Sequence, residues 1–312
     1  MDMKFTKSQH YIPQFYLRRF SKDGTKLYAF KKGQEKIFQT NKKDLCAKRF
    51  LYDTEIPACN PSKKEFVLLN ANEDLLFRLE KVFAETLRVI DGLRPSTEGV
   101  VEIGDHDRVV LELFVANLAH RHPYVVKQAL ESVEDVNEYI LRTGIIKEDD
   151  MEKLRQEGLA DKTALLVEEA LKRVVAVGFL NEPRSDEEPR FILGGPQLEM
   201  VEQLDCCSLL LVKCHQAKEF ITASYPLWIN WVQDEGESAI KSAYIPLSRN
   251  IAALFMAGKR ETFIAYADDK HVDTLNQALL SSDNPYWDIA ISGSEDMLRD
   301  FQTKNYFQFQ NL

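Results

Sequence analysis

The spacing of apolar residues predicts a block of helices in the middle of the chain. Apolar side chains recur at helical intervals between Asn70 and Ile90. A second helix is predicted at about 106–121, and its stretch 109–115 is apolar on nearly every side, which is typical of a helix buried at the centre of a domain. Another helix is predicted from Pro123 to Arg142, and two acidic helices are predicted at 148–157 and 161–178.

Short runs of β-branched and aromatic residues predict strands on both sides of this block. Before it, we expect a short helix after Pro13 and strands at 26–30, 36–40 and 49–52. After it, helices are expected near 196–204 and 271–281 and from Ser294, and strands at 208–213, 219–223, 227–231, 243–247, 251–255 and 287–291. Strands, then helices, then strands again indicate an α+β fold, with a mixed or mainly antiparallel sheet packed against the central helical block.

The length and composition limit the class of protein. A chain of 312 residues suits one large domain or two modest ones. We expect a single domain over 1–312, which can be subdivided into 1–70, 71–180 and 181–312. No apolar run approaches the roughly 18 residues of a membrane span, and the first ten residues lack the apolar core of a secretory signal. Five cysteines, an odd number with no Cys-x-x-Cys pair, fit a reducing compartment, so we expect a cytoplasmic protein with no membrane partner.

The net charge of −9 is distributed unevenly. Residues 1–50 contain thirteen Lys and Arg against four Asp and Glu, a net charge of +9, so the rest of the chain carries −18. A basic segment in an acidic chain favours an anionic partner, and nucleic acid is the first candidate for residues 1–50. The alternative is that this segment docks on acidic helices of the same chain.

Motifs of common enzyme classes are absent from the sequence. There is no phosphate-binding P-loop, no Gly-x-Gly-x-x-Gly, no His-Glu-x-x-His and no Gly-x-Ser-x-Gly. These absences disfavour a Walker-type nucleotide hydrolase, a dinucleotide oxidoreductase of the common fold and an ordinary serine hydrolase.

The most suggestive segment combines a histidine, aromatic residues and two arginines. His10 precedes a predicted helix start, where the helix dipole and unpaired N–H groups favour an anion. Arg18 and Arg19 add permanent positive charge that can bind phosphate oxygens. The segment reads His10-Tyr11-Ile12-Pro13-Gln14-Phe15-Tyr16-Leu17-Arg18-Arg19-Phe20.

This segment resembles the opening of an uncharacterised, mainly bacterial family, domain of unknown function 4238, whose members begin with His-Tyr-x-Pro-x-x-Tyr/Phe-Leu-x-x-Phe. Similar landmarks continue at 73–85, at Asn117–Pro123 and in Ile245-Pro246-Leu247-Ser248. The segment Thr222-Ala223-Ser224-Tyr225-Pro226 is similar to the family's Thr-Ser-Asp-x-Pro, but the acid before the proline is absent. The resemblance implies kinship and no established activity.

Two carboxylates are candidates for a metal site. Glu73 and Glu80 are seven residues apart, which places both on one face of the predicted helix. Two carboxylates and a histidine can hold Mg²⁺ or Mn²⁺ for phosphodiester hydrolysis. The alternative is an ordinary solvated helix face.

Arg121 closes the predicted buried helix between His120 and His122. A cation at this position can answer the helix dipole. It can also bind a phosphate or a buried carboxylate, which would make it part of a site.

Three functional hypotheses follow, and the sequence leaves all three open. The first is a phosphodiester-cleaving, nucleic-acid-processing enzyme, with His10 as general base or metal ligand, Arg121 in the catalytic site, Arg18 and Arg19 on phosphate, and Glu73 and Glu80 on Mg²⁺ or Mn²⁺. The second is a non-catalytic nucleic-acid or protein-interaction module. The third is an enzyme that acts on a small anionic metabolite. The first requires His10, Glu80 and Arg121 to converge on one solvent-reachable pocket, and it fails if His10 is buried and contacts only backbone carbonyls.

Overall fold

The computed structural model describes residues 8–49, 51, 55–57, 66–68, 71–94, 101–132, 179–181, 191–193, 195–214, 218–234 and 237–309. The chain divides into two compact units. The first unit contains 1–9, 48–79 and 123–198, and the second contains 10–47, 80–122 and 199–312. The helices predicted at 148–157 and 161–178 lie outside the described residues.

The helices and most strands of the second unit lie close to their predicted positions, but the strand at Thr262–Ala267 was not predicted and the strand expected at 49–52 is observed at Ala47–Arg49. The short strands at Ser8–His10, Glu55–Pro57, Phe66–Leu68, Phe179–Asn181 and Phe191–Leu193 were not predicted either. The helices are α1 (Gln14–Arg18), α2 (Ala71–Gly92), α3 (Asp105–Arg121), α4 (Pro123–Ser132), α5 (Gly195–Asp205), α6 (Asp269–Leu279) and α7 (Glu295–Phe309). The strands are β1 (Ser8–His10), β2 (Lys26–Lys31), β3 (Phe38–Asn41), β4 (Ala47–Arg49), β5 (Glu55–Pro57), β6 (Phe66–Leu68), β7 (Phe179–Asn181), β8 (Phe191–Leu193), β9 (Cys207–Cys214), β10 (Thr222–Ala223), β11 (Trp228–Asp234), β12 (Glu237–Ser248), β13 (Ile251–Ala257), β14 (Thr262–Ala267) and β15 (Ile289–Ser292).

The second unit contains the two larger sheets. The five-stranded sheet has the order β11-β12-β13-β9-β14 and is antiparallel except for the pair β9 and β14. The four-stranded sheet has the order β10-β15-β2-β3 and is antiparallel throughout. In the first unit, β5 pairs with β6 and β7 with β8. Mainly antiparallel sheets combined with helices confirm the predicted α+β class.

The core of the second unit is built around α3. Most of its residues are buried, as its apolar pattern predicts. The ring of Phe114 lies 5.9 Å from that of Phe15, 5.8 Å from that of Tyr16 and 5.2 Å from that of Phe83. These contacts join α1, α2 and α3 in one aromatic core. Among the described residues, no helix is both long enough and apolar enough to cross a bilayer.

The N-terminal helix is anchored to the C-terminal half of the chain. The buried Tyr16 hydroxyl donates to the carbonyl of Pro246 at 2.6 Å and accepts from the hydroxyl of Thr222 at 2.9 Å. Beyond α1, a Cβ atom at Gly293 would lie 2.1 Å from the carbonyl oxygen of Phe20. Only glycine permits this close approach, so the chain after α1 and the end of β15 meet backbone against backbone.

A second buried tyrosine supports a prediction about stability. The Tyr244 hydroxyl has no hydrogen-bond partner among the described residues, and burial raises its pKa well above 10. A buried unpaired hydroxyl carries a desolvation cost. We expect Tyr244→Phe to raise the free energy of unfolding by about 1 kcal/mol in urea denaturation.

Tyr16→Phe is the matched control. It removes a hydroxyl that is bonded to both Pro246 and Thr222, so it leaves two buried partners unpaired. We expect a loss of about 1–3 kcal/mol. Equal losses in both variants would contradict this interpretation of Tyr244.

Candidate functional site

His10 ends β1 with its ring held in one tautomer. Its Nε2 lies 3.1 Å from the carbonyl oxygen of Lys43. A carbonyl only accepts, so Nε2 carries the hydrogen and Nδ1 keeps its lone pair. Burial lowers the pKa of His10, although the Lys43 carbonyl opposes this shift. The half-buried imidazole therefore favours the neutral form more than a free histidine does.

Arg121 connects His10 to Glu80. Its guanidinium donates from Nη1 to the Glu80 carboxylate at 2.9 Å and from Nη2 to the carbonyl of His10 at 2.6 Å. Nη1 also lies 3.4 Å from the side-chain oxygen of Asn117. The Arg121 side chain is 2% exposed and that of Glu80 is 24% exposed. The structure thus brings together three predicted site residues, which we call the Arg121 cluster: His10, Glu80 and Arg121.

The two predicted phosphate-binding arginines have different surroundings. Arg19 donates from Nε to the carbonyl of Leu247 at 2.7 Å and from Nη2 to Asp91 at 2.7 Å. Arg18 is exposed, and its Nε would lie 3.4 Å from a Cβ atom at Gly24. These described neighbours of Arg18 and Arg19 all lie outside the Arg121 cluster.

The described residues do not supply a complete set of metal ligands for the site predicted at Glu73 and Glu80. The side chain of Glu73 lies outside the described residues. Among the side chains that are described, no group of three or more His, Cys, Asp or Glu is arranged to hold a metal ion. One oxygen of Glu80 is bonded to Arg121, whose positive charge opposes a second cation there. The described donors do not fit Mg²⁺ or Mn²⁺, and the metal role stays a prediction.

The structure contains an aromatic cluster that the sequence did not predict. Two of its members, Tyr11 and His122, directly follow His10 and Arg121 in the chain. The ring of His122 meets that of Tyr11 edge-on at 5.6 Å and that of Tyr225 at 5.5 Å. Tyr286 lies 5.0 Å from Tyr225 and 6.5 Å from His122. His122 and Tyr225 stand in segments that carry the family resemblance, which was a usable signal. Nothing in the local sequence distinguishes Tyr286.

The segment 222–226 lacks the acid of the family pattern, but the carboxylate of Asp288 lies next to it in the structure. The hydroxyl of Ser224 donates to the carboxylate of Asp288. The same hydroxyl accepts from the backbone N–H of Asp288 at 3.0 Å and of Ile289 at 3.1 Å. Asp288 is exposed, so its carboxylate faces solvent at this position.

Comparison with known proteins gives one match. A family model described as "Protein of unknown function (DUF4238)" matches residues 8–286. The matched range includes the Arg121 cluster, the aromatic cluster around His122 and Ser224. No curated protein and no solved structure matches the chain.

Proposed function

We propose that this chain, which belongs to the DUF4238 family of proteins of unknown function, is a nucleic-acid-processing enzyme that cleaves phosphodiester bonds at His10. The observation that carries the proposal is the fixed, neutral imidazole of His10. The ring is held through Nε2 by Lys43, and the main chain of His10 is held by the buried Arg121. A neutral histidine with a defined bare nitrogen is suited to general base catalysis.

The proposed chemistry assigns one role to each residue of the cluster. Nδ1 of His10 takes the proton of a hydroxyl or water nucleophile as that oxygen attacks phosphorus. The bond from phosphorus to the leaving nucleotide oxygen breaks, and the leaving oxygen takes a proton from water. Arg121 is a positioning residue, because its guanidinium fixes the His10 backbone and its charge helps to keep the pKa of His10 low. Glu80 neutralises part of the charge of Arg121.

The nucleic-acid partner is supported by exposed basic residues near α1. Arg18, Lys22 and Lys26 are exposed, and the ammonium of Lys42 donates to the carbonyl of Gly24 at 2.9 Å. The cationic side chains of Arg18 and Lys42 therefore both lie next to the turn at Gly24. Cations of this kind contact phosphates without reading the base sequence.

The test is a cleavage assay on labelled single-stranded and double-stranded DNA and RNA, with Mg²⁺, Mn²⁺ or a chelator. We expect His10→Ala to lower the cleavage rate by about 100-fold, because it removes the general base. His271→Ala is the control, since His271 is an exposed histidine bonded to Asp268 at the start of α6. Equal rates in His10→Ala and the wild type would overturn the assignment of His10.

The second candidate is a non-catalytic nucleic-acid or protein-interaction module. It is favoured by the full engagement of Arg121, whose guanidinium is bonded within the protein. This hypothesis predicts gel shifts that weaken steeply with salt and no cleavage on any substrate. A flat salt response would exclude nucleic-acid binding in both hypotheses.

A further inference from the structure

A groove at one end of the five-stranded sheet contains positive charge that the proposed cleavage chemistry does not use. Lys213 of β9 is in register with Ile251 of β13 and with Tyr266 of β14. Paired residues on neighbouring strands point to the same face, so these three side chains lie side by side. The groove has a volume of about 410 Å³ and is also lined by Arg19, Asp91 and Ser248.

Hydrogen-bond donors in this groove exceed the acceptors that the described residues supply. The Lys213 ammonium donates to the carbonyls of Leu93 at 2.5 Å and Asp91 at 3.2 Å. One of its three N–H groups therefore has no partner among the described residues. Arg19 donates to Leu247 and Asp91, which leaves three of its five N–H groups without a described partner.

The charges in the groove favour an anion. Among the described residues that line the groove, Arg19 and Lys213 are accompanied by one carboxylate, that of Asp91, which is 44% exposed. Burial and the nearby charge of Arg94 lower the pKa of Lys213, whereas the carboxylate of Asp91 raises it. The hydroxyl of Ser248 accepts from the N–H of Asn250 at 3.2 Å, and its own hydrogen has no acceptor among the described residues.

The aromatic ring of Tyr266 adds a second kind of contact. Its side chain is half-exposed at the groove. Nucleobases stack on such rings, and each stacked base contributes about 1–3 kcal/mol. The groove volume lies within the range of roughly 300–1,000 Å³ that is usual for small-molecule sites.

We propose that this groove binds a mononucleotide, with the phosphate held by Arg19, Lys213 and Ser248 and the base stacked on Tyr266. The three groups surround a phosphate with charged and neutral donors, which suits its several acceptor oxygens. Asp91 opposes the ligand by charge repulsion and limits its affinity. This site is independent of the cleavage proposed at His10.

Isothermal titration calorimetry on the full chain tests the proposal, with AMP, GMP, CMP, UMP, adenosine and inorganic phosphate as probes. We expect at least one mononucleotide to bind more tightly than inorganic phosphate and adenosine. Lys213→Gln should weaken mononucleotide binding about tenfold, because a charge-assisted contact is lost. Tyr266→Ala should weaken mononucleotide binding about tenfold and leave phosphate binding unchanged.

Two further variants make the test specific. Asp91→Asn removes the repelling charge and should tighten mononucleotide binding several-fold. Lys241→Gln changes an exposed lysine of β12 outside the groove and should have no effect. The absence of binding by all four mononucleotides would overturn the proposal, as would affinities that Lys213→Gln and Tyr266→Ala leave unchanged. The His10→Ala variant should bind mononucleotides as the wild type does. The calorimetry therefore tests the groove separately, and a failed cleavage assay would not overturn mononucleotide binding.

Discussion

Replacement of Arg108 by methionine is expected to lower the free energy of unfolding by about 3–5 kcal/mol. Arg108 is 2% exposed and forms an ion pair with Glu112, which is 0% exposed, one turn further along α3. Its Nη2 also donates to the carbonyls of Cys207 at 2.7 Å and Leu204 at 3.3 Å. Methionine would fill the space but leave these buried acceptors unpaired.

The double variant Arg108→Met/Glu112→Leu separates loss of the pair from loss of packing. In the wild type, the second oxygen of Glu112 has no partner among the described residues, and burial raises the pKa of this carboxyl group. Removing the carboxylate together with the guanidinium avoids an isolated buried charge. We expect the double variant to recover more than half of the stability lost by Arg108→Met in urea denaturation. A double variant less stable than Arg108→Met would contradict this account.

Arg121→Met is expected to lower the free energy of unfolding by about 2–3 kcal/mol, because charge-assisted bonds to Glu80 and His10 are lost. The loss is smaller than at Arg108, since Glu80 is partly exposed and can be solvated. The variant should also raise the pKa of His10. In the wild type, burial and the charge of Arg121 lower this pKa, whereas Glu80 raises it.

An NMR titration of the His10 ring measures this effect directly. Arg121→Met should move the midpoint upward, and Glu80→Gln should move it downward, because the two variants remove opposite charges. An unchanged midpoint in both variants would contradict the role of Arg121 in positioning and tuning His10. Since the folded-state pKa of His10 lies below 6.5, the unfolded chain binds the proton more readily. The contribution of His10 to stability is therefore present above pH 6.5 and is lost as the pH falls below 6.5 through the lower folded-state pKa.

Local patterns predicted the elements better than their partners. The stretch 109–115 is apolar on nearly every side, so burial of this part of α3 followed directly from the sequence. The strand at Lys26–Lys31 was also expected, but its pairing with Ile289–Ser292 was not. Backbone hydrogen bonds carry no sequence signal for a partner so distant along the chain.

For the candidate site, the sequence predicted which residues belong together but not how they contact one another. His10, Glu80 and Arg121 were selected by residue type and position, and the structure joins them through hydrogen bonds. The sequence could not show that Arg121 contacts the main chain of His10, because any residue type has that carbonyl. The groove at Lys213 was missed for a related reason, since its residues come from separate strands and helix ends.

The position of β2 between β3 and β15 has a consequence for the time course of folding. Lys31 pairs with Ile289, so about 258 residues separate the two strands in the chain. At a synthesis rate of roughly 5–20 residues per second, β15 is synthesised roughly 13–50 s after β2. During that interval one hydrogen-bonding edge of β2 is unpaired, and pairing over such a separation is intrinsically slow. Folding of the second unit is therefore completed only after synthesis of β15, and a fragment ending before Ile289 leaves β2 without its neighbour.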